Sequence, residues 1–115
     1  MAEKALCWLG SSLDDVRAFP ADARRAAGYE PGRLQQGLMP SDWKPMATVG
    51  VGVYEIRIHA GLQHRLFHIS KLEEAIYVLH AFEKRTRQTP QAETALARTR
   101  LAELLARRKR NPETL

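Results

Sequence analysis

Residues 53–82, VYEIRIHAGLQHRLFHISKLEEAIYVLHAF, decide the fold. From Val53 the chain alternates: Val53, Tyr54, Ile56 and Ile58 are apolar, while Glu55, Arg57 and His59 take the other face. Side chains of a strand point to its two faces in turn, so this is a strand with one side buried. Ala60, Gly61 and Leu62 make a short turn, and residues 64–70 (HRLFHIS) are a second strand, close enough in the chain to pair as a hairpin. Residues 75–82 (AIYVLHAF) are almost continuously apolar and β-rich, the pattern of a central strand covered on both faces.

Upstream, residues 37–52 hold Gly37, Pro40, Pro45, Gly50 and Gly52 and read as a loop, which carries Trp43 and Lys44. Residues 5–9 (ALCWL) form a short strand that Gly10 breaks. Ser12 with Asp15 three places on resembles a capping box and opens a helix. A second helix runs from Pro20 to about Ala27; Gly28, Pro31 and Gly32 interrupt it before helix resumes over residues 33–36. Downstream of the strands, Thr89 and Pro90 open a last helix as N-cap and first residue, with Ala97, Leu101, Leu104 and Leu105 as its apolar face. From about residue 107 a basic tail (RRKR) frays into solvent. Helices are thus segregated from a three-stranded antiparallel block, an α+β pattern within a single domain over residues 1–115.

Composition narrows the chemistry. With 18 Lys and Arg against 13 Asp and Glu, the formal charge is +5, which favours a polyanionic or acidic partner. The single cysteine, Cys7, lies in an apolar run and excludes both an internal disulfide and a cysteine-rich zinc site; it is expected as a small buried hydrophobe. No apolar stretch approaches the roughly 18 residues of a membrane span, and Glu3 and Lys4 before a few apolar residues make a poor signal peptide, so a cytoplasmic location without membrane contact is expected.

The informative feature is where the cations fall. Arg57 is on the polar face of the first hairpin strand, Arg65 begins the second, and Lys84, Arg85 and Arg87 follow the third. If the three strands are neighbours, all five converge on one concave surface. Guanidinium forks grip two phosphate oxygens at once and stay charged at physiological pH, and like charges crowded together repel unless an anion joins them. The competing reading is that Arg57 and Arg65 are ordinary exposed strand residues, one of them pairing with Glu55 or Glu83.

The segments DDVRAFPADARRAAGY, LMPSDWKPM, VGVYEIRIH and HRLFHISKLEEAIYVLHAFEKRTRQTP, with the closing helix, resemble the RelE/HigB superfamily of type II toxins, specifically its phage-derived Gp49-like branch, over residues from about 5 to 108. The resemblance implies a compact antiparallel sheet with flanking helices, mRNA endonuclease activity exercised on the ribosome, and inhibition by an antitoxin of helix-turn-helix type. DNA is then contacted only through the antitoxin. It implies basic site positions at Arg57, Arg65, Lys84, Arg85 and Arg87. The chain departs from relatives at Glu55, where some carry a cation, and in having no tyrosine after Arg87.

RNA is cut without metal or other cofactor when its own 2′-hydroxyl attacks the adjacent phosphate, a reaction needing a base, an acid and cations around the phosphoryl oxygens. The expected roles are phosphate binding by Arg65 and Arg85, backbone contacts by Arg57 and Arg87, and proton transfer by Lys84, with His80 or His68 as alternatives. Trp43 is read first as a plug for the end of the core and second as a platform for a base; with Lys44, Lys71 and Arg87 it completes the RNA-contact candidates. His59, His64, His68 and His80 lack acidic or cysteine partners at ligand spacing, so no metal site is expected. Two other classes remain open: a degenerate toxin that binds without cutting, and a phage protein that blocks a host factor through its basic face.

Overall fold

The computed structural model describes residues 3–110. Its elements are β1 (Ala5–Trp8), α1 (Ser12–Arg17), α2 (Ala21–Gln35), β2 (Trp43–Pro45), β3 (Val53–Ala60), β4 (Leu62–Ile69), β5 (Ala75–Lys84) and α3 (Gln91–Arg110). The five strands form one sheet in the order β1-β5-β4-β3-β2. All neighbours are antiparallel except β1, which lies parallel to β5.

Strands β3 and β4 pair as the expected hairpin, but the expected one-sided burial of β3 is corrected: both faces of the sheet are covered, and Glu55, expected on the open face, is fully buried. Gly61, in the left-handed region at φ +75°, closes the hairpin so tightly that Ala60 pairs with Leu62. On one face, Val53, Phe67, Ile69, Leu79 and Phe82 pack beneath Ala97, Leu101 and Leu104 of α3, joined by Met46 and Val49. On the other, Ile56, Ile58, Leu66, Val78 and Ala81 lie beneath Val16, Phe19, Ala23 and Ala27 of the N-terminal helices. Leu79 is an extra residue in β5: Phe67 pairs with His80 but His68 with Val78, which is how this apolar strand serves both cores.

Several expectations need correction. The second helix is continuous through Gly28, Pro31 and Gly32. Ala23 and Ala27 are fully buried against the sheet, whereas Gly28 and Gly32 meet nothing on the open side, so close packing outweighs their poor propensity. The 37–52 segment is not all loop: β2 pairs Trp43 with Ile56, Lys44 with Glu55 and Pro45 with Tyr54. Trp43 stands on this edge strand 38% exposed, edge-on to Tyr54 at 5.3 Å, and does not plug the core.

At α1 the N-cap is Ser11, whose Oγ donates to Asp15 at 2.8 Å; Ser12 is buried and donates to the carbonyl of Val78. The last helix starts one residue later than expected, at Gln91, with the Pro90 carbonyl accepting from Glu93 and Thr94. Residues 107–110 are helical, and Arg108 makes a two-pronged ion pair with Glu74 at 2.6 and 3.0 Å. The remainder of the expected tail lies outside the described residues. Cys7 is a free thiol packed against the α3-side core. Among the described residues no helix is long and apolar enough to cross a membrane.

Candidate cationic site

Arg57 and Arg65 stand equidistant from Gly61 and are direct cross-strand partners on β3 and β4. They share the face that carries Val53 and Phe67, toward its hairpin end. Glu55, two residues before Arg57 and therefore on the same side, is fully buried. Its Oε1 accepts from Arg57 Nε at 3.1 Å and faces Arg65 Nε at 3.4 Å. Arg65 is only 5% exposed and is held from its other side, Nη1 donating to Gln63 Oε1 at 3.1 Å and to the His64 carbonyl at 3.0 Å. Arg57 keeps about a third of its side chain in solvent.

Two lysines complete the patch. Lys44 lies opposite Glu55 on β2, and Lys84 lies opposite Gln63 on β5, one row beyond the Arg65–Phe82 pair. Burial, then the positive charge of Arg65, holds the Lys84 ammonium below the usual lysine range, with Glu55 opposing. Burial likewise lowers Arg65, and Glu55 again opposes. Four cations therefore surround one buried carboxylate, and the nearby Asp42 is engaged by His59. Uncompensated positive charge on a partly desolvated surface is relieved by an incoming anion.

The other candidates are placed elsewhere. Period two puts Arg85 on the opposite side of the strand from Lys84, and Arg85 is exposed and ion-paired with Glu83 at 2.6 Å. The expected convergence of five cations is corrected accordingly: Arg57, Arg65 and Lys84 meet, with Lys44, and Arg85 does not join them. Arg87 is exposed in the connection to α3. Lys71 lies over Gly52 past the far end of β4, roughly 15–20 Å away at about 3.3 Å per strand residue.

His80 is on the cationic face but one row deeper, beneath α3. Its Nε2 is 2.9 Å from Glu93 Oε2, its Nδ1 is 3.2 Å from Arg100 Nη1, and its ring stacks on Phe82 at 5.3 Å. Both ring nitrogens are thus committed to α3. His68 is buried on the opposite face, stacked on Tyr54, and burial pushes its pKa down to about 4. Among the described residues no three His, Cys, Asp or Glu side chains gather as metal ligands would.

A groove of about 510 Å³ runs between the β2–β3 connection and the start of α3, lined by Met46, Thr48, Thr89, Gln91, Thr94 and Arg98. Its two walls continue in sequence from Lys44 and from Lys84. A larger groove of about 900 Å³, between the entry to β1 and the end of α2, has no connection to the cations.

Sequence reasoning missed Gln63 and misjudged Glu55. The alternation that aligns Gln63, Arg65 and Phe67 on one face, and Glu55 with Arg57, carries the signal for both.

Fold and geometry together define a small α+β protein in which one face of a mixed sheet is apolar beneath a helix and cationic beyond it. The family described as phage derived protein Gp49-like (DUF891) matches residues 14–102, from within α1 to within α3. The chain belongs to this phage-derived Gp49-like family, which is generally toxin-like. No curated protein matches the chain.

Proposed function

We propose that the protein is the toxin of a type II toxin–antitoxin pair of RelE/HigB kind, a metal-independent endoribonuclease that cuts mRNA on the ribosome. The observation that carries this reading is the Arg57–Arg65 pair, set side by side across the hairpin and flanked by Lys44 and Lys84. Arg57 and Arg65 hold the scissile phosphate and stabilise the charge that gathers on it as the 2′-hydroxyl attacks. Lys84, whose lowered pKa eases proton release, serves in proton transfer. Lys44 contacts the neighbouring phosphate. Arg85 and Arg87, exposed beyond β5, meet RNA or ribosome outside the reacting centre. A helix-turn-helix antitoxin neutralises the protein by covering the cationic face.

Arg57→Ala and Arg65→Ala are expected each to lower the rate of mRNA cleavage in a ribosome-programmed translation reaction by about 100-fold or more, the scale on which loss of one oxyanion-stabilising donor is felt. Arg85→Ala is expected to change it by only a few-fold. Undiminished cutting by both site variants removes the pair from the chemistry and the proposal with it.

A second reading, RNA binding without cleavage, is favoured by Glu55, which offsets part of the charge, and by the absence of a tyrosine after Arg87. Induced expression separates the two: arrest of growth with site-specific mRNA cuts supports the nuclease, and absence of both supports the binder.

A further inference from the structure

Glu55 has no place in the scheme above, and its surroundings are unusual. It is an ionisable side chain with no exposed surface, placed in the middle of four cations. Leaving a carboxylate in such a position is costly unless the cations repay the lost hydration. Both arginines turn Nε toward the same oxygen, Oε1: Arg57 Nε donates to it at 3.1 Å, while Arg65 Nε faces it at 3.4 Å as an ion pair without forming a hydrogen bond to the described residues. Glu55 Oε2 is buried and accepts no hydrogen bond from the described residues.

This differs from the fork-to-fork pairing in which a carboxylate saturates a guanidinium. Contact through Nε engages one edge of each planar group. Arg65 spends Nη1 on Gln63 and His64, which fixes its plane from the opposite side. Two guanidinium groups that repel each other are thereby held next to each other by a common anchor at their inner edges.

We propose that Glu55 is a positioning residue: it holds Arg57 by a hydrogen bond at Nε and draws Arg65 to the same oxygen by its charge, so that the two arginines present one phosphate-sized pair of donors. This deepens the nuclease reading and rests on it for the identity of the ligand, a phosphodiester of single-stranded RNA. Glu55 does not touch that ligand. Its negative charge opposes RNA binding, while its geometry makes binding productive, so affinity and turnover separate when it is changed.

Wild-type protein, Glu55→Ala and Glu55→Gln are compared in two assays, after thermal melts have established that each is folded. The first measures cleavage of mRNA in a ribosome-programmed reaction and, separately, affinity for a short fluorescent RNA whose riboses are 2′-O-methylated and cannot attack. Glu55→Ala is expected to bind the uncuttable RNA at least as tightly as wild type and to cut at least about tenfold more slowly. Glu55→Gln, whose amide oxygen still accepts from Nε, is expected to recover most of the rate. Cutting by Glu55→Ala at the wild-type rate overturns the proposal, as does a Glu55→Gln variant as slow as Glu55→Ala, which would make the charge itself essential.

The second assay needs no activity. The arginine Nε–Hε resonance of Arg57, the one that donates to Glu55, is expected to be slow to exchange in wild type and Glu55→Gln and to be lost to exchange in Glu55→Ala. Equal protection in all three overturns the positioning role even if the RNA is cut. Conversely, a wild-type protein that cuts nothing but shows the expected pattern of resonances sinks the nuclease reading and leaves the role of Glu55 standing. Should Glu55→Ala fail to fold, Glu55→Asp takes its place: a carboxylate too short to reach both Nε groups, expected to show the same loss of rate and of protection.

Discussion

Arg65 illustrates why a cation is stronger in a protein groove than in water. It is nearly buried, so its charge is little screened, and two acceptors at Nη1, with the Glu55 carboxylate facing Nε at 3.4 Å, orient its guanidinium before any ligand arrives. Lysine in its place keeps the charge and loses the planar fork. Arg65→Lys is therefore expected to retain most of the affinity for uncuttable RNA while cleavage falls about tenfold or more, measured as the rate at saturating RNA. His68 provides a test of the opposite core. It is neutral in the fold with a pKa near 4 and titrates near 6.5 once unfolded, so the unfolded chain binds the extra proton between these values. Its contribution is present in full above about pH 6.5 and is lost as the pH falls through about 4, a change on the order of 3 kcal/mol. Urea unfolding across that range is expected to show the slope in wild type and a shallower one in His68→Leu. The period-two rule made Arg57, Arg65 and Glu55 readable as one face from the sequence, and the same rule, applied past Phe82, would have sent Lys84 and Arg85 to opposite sides.

Among the elements, the hairpin and β5 were legible because their signals are local: alternation, a turn with Gly61, and a long apolar run. Helix α2 was not, because its continuity is decided by what it packs on. The helix forgoes the hydrogen bond that Pro31 cannot donate, and Glu30, itself buried, accepts both Ser41 N and Ser41 Oγ at 2.8 and 2.7 Å, tying the chain after the helix back onto it. β2 was illegible for a different reason: three residues ending in proline have no periodicity to read, and only the register with β3 makes them a strand. Helix α3 depends on burial and on Arg100, which reaches the Leu79 carbonyl, His80 and Ser11 and so joins β5, α1 and α3. Leu104 is fully buried, so Leu104→Ala is expected to cost about 2–5 kcal/mol in denaturant unfolding. Gly10 sits at φ +53° against the guanidinium of Arg100, where an added Cβ would collide with Nε. Gly10→Ala therefore combines backbone strain with displacement of that contact, and a loss of about 1–2 kcal/mol is expected from the backbone alone.

At the scale of the molecule, charge and shape act together. The excess of positive charge is spread over the surface, but Lys44, Arg57, Arg65 and Lys84 concentrate it where α3 ends its cover of the sheet. Binding to single-stranded RNA through about four phosphates releases counterions with a slope near −0.7 per contact. A plot of log affinity for the uncuttable RNA against log salt is expected to have a slope of about −3 for wild type, moving toward zero by about 1.4 when Arg57 and Arg65 are both replaced by alanine. A slope unchanged by the double substitution would place the RNA on another surface. The α+β class and the sheet-plus-helices architecture were evident in the order of segments, while the strand order was not, because the partner of β1 lies some seventy residues away and no local pattern encodes so distant a pairing.

That parallel pairing of β1 with β5 has a consequence for how the protein is made. Strand β1 leaves the ribosome with no neighbour until residue 75 and those after it have also emerged, whereas the Arg57–Arg65 hairpin is assembled from adjacent sequence and closes early. Nascent chains therefore carry half a cationic surface and an orphaned apolar ribbon until β5 with Lys84 and the helix that follows it emerge and join the two into one working object.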